Sequence, residues 1–64
     1  MNKYFALILK DIEERREYIA KAMIEGSAKD YSEYRSMCGE IRGLSLAHQT
    51  VTDLVQKLEK DNDE

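Results

Sequence analysis

A chain of 64 residues has room for one domain, and at that length folding buries too small a share of the surface for more than marginal stability. Its single cysteine, Cys38, excludes an internal disulfide, and no zinc spacing is present, so added stability has to come from oligomerisation or a partner. Proline is absent, 36% of residues are charged and 42% are hydrophobic, a balance found in long helices, while a net charge of −3 argues against nucleic acid as the natural partner.

The placement of charge sharpens that exclusion. Residues 1–26 balance Lys3, Lys10, Arg15, Arg16 and Lys21 against Asp11, Glu13, Glu14, Glu17 and Glu25. Residues 27–60 balance Lys29, Arg35, Arg42, Lys57 and Lys60 against Asp30, Glu33, Glu40, Asp53 and Glu59. The excess sits in Asp61, Asp63 and Glu64. A neutral body of mixed sign has neither a basic stripe for nucleic acid nor the dense acidic face of a DNA mimic. The opening apolar run, Tyr4 to Leu9, is shorter than a signal-peptide core and is followed by Lys10 and Asp11. No stretch reaches the roughly 18–20 apolar residues of a bilayer span. A free cysteine without a secretion signal points to a reducing, intracellular setting.

In chain order, the first predicted element is a helix over about residues 2–25. Phe5, Ile8, Ile12, Ile19 and Ala22 recur in steps of three and four, with Arg15 at the interrupted position and Leu9, Ala20 and Met23 widening the stripe. The pairs Asp11–Arg15 and Glu17–Lys21 sit at the spacing that supports a helix locally. Gly26 is the natural residue just past its end, where a left-handed conformation is needed. The turn covers about residues 26–30, and two capping boxes overlap in it, Ser27 with Asp30 and Asp30 with Glu33. Either places the next helix start between 28 and 31.

The second helix, about 31–60, carries a regular seam of Tyr34, Met37, Ile41, Leu44, His48, Val51, Val55 and Leu58, broadened by Ala47 and Leu54. Residues 61–64 form an acidic tail with no apolar anchor, expected to fray. The fold class is therefore all-α: an antiparallel helical hairpin occupying residues 1–60, expected to dimerise into a four-helix bundle. A pivot at residue 28 sets Ile12 against Leu44, Ile19 against Met37 and Arg15 near Ile41 and Glu40. It also leaves Leu54, Val55 and Leu58 beyond the reach of the shorter first helix.

Few residues invite a chemical reading. Gly39, Gly43 and Ala47 line a narrow column, and each interior glycine costs about 1 kcal/mol relative to alanine. Such a column either seats the first helix or meets another chain. His48 lies among apolar neighbours, where a hydrogen-bonded structural role is the ordinary one. Cys38 is about 15 Å from it along a helix axis, too far to share an ion, so neither metal nor cofactor is expected. Ser45 precedes His48 by one turn, yet no orienting group, oxyanion-hole loop or pocket accompanies them. Arg15, with Glu40 in reach, is either a snorkelling boundary residue or part of an ion pair that sets register. Tyr18, Tyr31 and Tyr34 belong to exposed faces.

The block from Tyr34 to Glu59, and within it Cys38-Gly39-Glu40-Ile41-Arg42-Gly43-Leu44, resembles small helical accessory proteins of tailed bacteriophages. That resemblance implies a virion-associated protein, or one acting in the host cytoplasm, and transfers no catalytic residue. In architecture the hairpin is also similar to the Rop-like RNA-binding repressors of plasmids, which dimerise into four-helix bundles. Arg35 and Arg42, one heptad apart, would be the RNA-facing residues, diluted by Glu40 and Asp53. The expected function is a non-enzymatic interaction module, associating with itself or docking on a virion or host protein. Gly39, Gly43, Ala47, Leu54, Val55 and Leu58 are the expected contact residues.

Overall fold

The computed structural model describes residues 2–62. The chain is all-helical, with α1 over Lys3–Ile24 and α2 over Tyr31–Asn62 packed against each other as a hairpin. Asp61 and Asn62 continue α2, so the acidic tail does not begin where the charge does; Asp63 and Glu64 lie outside the described residues.

Three of the helix ends have a local cause. Asn2, extended at ψ 135°, caps α1 by accepting the Tyr4 amide at 2.7 Å. At the other end Gly26 adopts φ 77°, a region costly for any residue with a Cβ. The Ser27 amide then reaches back to the Ala22 carbonyl at 3.0 Å and the Gly26 amide to that of Met23 at 3.1 Å. This pair of bonds is a Schellman motif, and it satisfies carbonyls the helix end would leave bare. Of the two overlapping caps the structure uses the second: Asp30 Oδ1 accepts the Glu33 amide at 2.8 Å, so α2 starts at Tyr31.

The molecule is long and thin, 52 × 17 × 13 Å. Its radius of gyration is 15.1 Å, against about 11 Å for a compact domain of this length. Two helices side by side enclose little, and among the described residues only Ile19 and Val55, each 4% exposed, are buried hydrophobics.

The packed face of α1 departs from the expected one at two positions, Ile8 and Arg16. Half-buried or buried positions are Phe5, Leu9, Ile12, Arg16, Ile19, Ala20, Ala22 and Met23, whereas Ile8 and Arg15 are exposed. The seam is thus rotated by about one residue there, and Arg16 rather than Arg15 occupies its polar position. Both sets keep the same spacing. The observed one turns Leu9 inward in place of Ile8, and it keeps Ala22 and Met23 half-buried. On α2 the seam from Met37 to Val55 is half-buried or buried as expected, but Ala47 and Leu54 do not broaden it; Cys38, Ser45 and Thr52 do.

The register also corrects one expectation. Glu13 lies against His48 and Arg16 against Ser45, so pairing at the open end is displaced along α2 by about one turn. As a result Asn2 and Phe5 lie beside Val55, Leu58 and Glu59. Val55 is a core residue and not part of an uncovered overhang.

Candidate interaction surface

Residues seven apart on a helix stack on nearly one side, drifting by only about 20°. Two cross-helix bonds therefore define two sides of the hairpin. On the first side the column Ile8–Arg15–Ala22 of α1 is joined to the column Glu40–Ala47–Leu54 of α2. The join is Arg15, whose Nε and Nη2 donate to Glu40 Oε2 at 3.1 and 2.9 Å. The guanidinium also lies 5.6 Å from the Tyr18 ring centre. Both partners are about half exposed, so the pair contributes about 0–1 kcal/mol and acts as a surface pin.

On the second side the columns Leu9–Arg16–Met23 and Cys38–Ser45–Thr52 are joined by Arg16 Nη1, which donates to Ser45 Oγ at 3.2 Å in a part-buried setting. Thr52 Oγ1 is buried on this side with no hydrogen-bond partner among the described residues. Nearer the turn, Tyr34 has its pKa raised above the ordinary tyrosine value. The causes are a side-chain hydrogen bond with Cys38 one turn on, then the Cys38 charge, slight desolvation and the Tyr31 charge. The Tyr31 and Tyr34 rings stack with centres 6.4 Å apart.

His48 is part of the seam, with Nε2 2.9 Å from Glu13 Oε1. Ser45 and His48 are thus turned to partners on α1, Arg16 and Glu13, and not to each other. Among the described residues no group of three or more His, Cys, Asp or Glu side chains gathers where a metal ion would sit. No helix among them is long and apolar enough to cross a membrane.

The expected contact residues separate into three places. Gly39 and Gly43 face open space, with nothing within 4 Å of where a Cβ would stand, and Ala47 is exposed beside them. The column therefore does not seat α1. Val55 is inside the hairpin. Leu54 and Leu58 remain open, at 45% and 41% exposure, on the side that carries the Arg15–Glu40 pair.

The periodicity reading missed Ile8, 44% exposed, and Tyr4, one turn before it on the same side. Together with Leu54 and Leu58 they form an apolar patch at the open end. Beside it Asn2, Phe5, Val55, Leu58 and Glu59 line a shallow depression of about 210 Å³. The signal that would have found the patch is the competition between two equally spaced seams on α1: whichever loses must leave its apolar members outside.

No protein-family model, curated protein or solved structure matches this chain.

Proposed function

We propose that this chain is an interaction module whose working partner is a second copy of itself, packed on the side that carries the Arg15–Glu40 pair. The observation that carries this reading is the size of the exposed surface. The hairpin presents 5285 Å², against roughly 4,200 Å² for a compact monomer of its mass. The excess, about 1,000 Å², is close to the ~800 Å² per partner of a stable interface. Tyr4, Ile8, Leu54 and Leu58 supply the apolar centre such an interface needs, and charged neighbours supply its rim.

Sedimentation equilibrium from low to high micromolar concentration tests the proposal. The wild-type chain sediments as a dimer, and Leu54→Glu combined with Leu58→Glu shifts it to monomer while far-UV circular dichroism retains most of the helicity. A wild-type chain that stays monomeric throughout overturns the reading and leaves the same side to a virion or host protein.

One observation favours a second reading. Arg35 and Arg42 bracket Gly39 and, with Cys38, line a polar depression of about 150 Å³. Neither arginine makes an ion pair with another described residue. An RNA-binding hairpin would use these two guanidiniums on backbone phosphates, and retardation of structured RNA would then weaken steeply with salt.

A further inference from the structure

We infer that the two copies meet as a staggered antiparallel overlap of their open ends, with the twofold axis beside Ile8 and Leu54 and the two turns pointing away from each other. The inference rests on the self-association proposed above and specifies its geometry.

The apolar patch and the cross-helix ion pair stand at different levels of the interacting side. Tyr4, Ile8, Leu54 and Leu58 all lie in the open half. Arg15 and Glu40 stand seven and fourteen residues nearer the turn than Ile8 and Leu54, about 10 and 20 Å along the helices. Beyond them, Tyr18, Lys21, Ala22, Glu25 and Ser27 line a depression beside the turn.

A full-length antiparallel bundle would press the ion pair of one copy onto Ile8 and Leu54 of the other. A parallel bundle would press each ion pair onto its counterpart. Both arrangements desolvate two charges whose hydrogen bonds are already made within their own chain, with no new partner to compensate. Sliding the copies until only the open halves overlap avoids this. The four apolar side chains of each copy then cover one another, and both ion pairs stay in water at the edges of the overlap. The depression floored by Phe5, Val55 and Leu58 lies within the overlap and accepts an apolar side chain of the facing copy.

The test places a spin label in the turn of the full chain, at Lys29→Cys in a Cys38→Ser background, and measures the label-to-label distance by pulsed electron resonance. Leu54 lies 24 residues along α2 from Asp30, about 36 Å, so the staggered dimer separates the turns by ~70 Å. An in-register antiparallel bundle, about as long as one 52 Å hairpin, separates them by about 50 Å. A parallel bundle brings them within about one to two helix diameters, roughly 20 Å. Ser27→Cys, a second exposed turn position, repeats the measurement. A distance near 70 Å supports the overlap; 50 Å or 20 Å overturns the stagger while self-association stands. Monomer in sedimentation of the same labelled chain overturns both.

Discussion

Arg16 on α1 donates from Nη1 to Ser45 Oγ on α2 across 3.2 Å, and this bond occupies a seam position where the neighbouring residues are apolar. The guanidinium gives up part of its hydration for one neutral acceptor, a poor exchange compared with apolar packing. Arg16→Leu with Ser45→Ala replaces both partners and is expected to stabilise the hairpin by about 1 kcal/mol, roughly 4–8 °C in Tm for a chain this small. Arg16→Leu alone gains less, because it leaves the Ser45 hydroxyl unpaired. Thermal melts at one fixed protein concentration measure the difference; a double variant less stable than wild type would show that the bond selects the seam and does more than fill it.

Thr52 presents the same physics without a partner. Its hydroxyl is buried and unbonded among the described residues, and Thr52→Val keeps the shape while removing the unsatisfied group. A gain of about 1 kcal/mol is expected in denaturant unfolding. Loss of stability would indicate a bridging water at that hydroxyl.

The three glycines respond in opposite directions. Gly26 holds φ 77°, so Gly26→Ala costs about 1–2 kcal/mol. Gly39 and Gly43 are interior to α2 with open space where a Cβ would stand, so alanine at either stabilises by about 1 kcal/mol. Neither position lies in the open-end overlap, and the dimer constant of the Gly39→Ala, Gly43→Ala chain is expected to match wild type in sedimentation. A weakened dimer would bring that column into the interface.

Asp30 caps α2 and Ser27 does not. Asp30→Ala is expected to cost about 1 kcal/mol, and Ser27→Ala to stay within about 0.5 kcal/mol of wild type. Equal losses in urea titration would contradict the cap assignment.

Tyr34 titrates above the ordinary tyrosine value because of its hydrogen bond with Cys38 and the Cys38 charge. A raised value in the folded state means the folded chain holds the phenol proton more tightly than the unfolded one. The contribution is therefore present at lower pH, begins to fall as pH passes the ordinary tyrosine value, and is gone once pH exceeds that of Tyr34. Ultraviolet absorbance of phenolate should show the Tyr34 titration in the wild-type chain moving to lower pH in Cys38→Ala.

Much of this protein follows from local rules that a sequence displays. Two long apolar periodicities, two overlapping capping boxes at Ser27 and Asp30 and the glycine at 26 specify two helices and a reversal, because caps and turns depend on residues within a few positions of each other. The seam of α2 from Met37 to Val55 belongs to this class.

Three features were decided by tertiary packing. The choice of Leu9 over Ile8 and of Arg16 over Arg15 for the packed face turns on the fit against α2, which exists only once both helices are placed. The fate of Val55 depended on register, which is defined where Glu13 meets His48 and Arg16 meets Ser45 across the two helices. The exposed patch of Tyr4, Ile8, Leu54 and Leu58 is a consequence of both: periodicity marks a residue as apolar-faced, but two helices alone have too little mutual surface to cover every such face, and only their packing determines which one stays open.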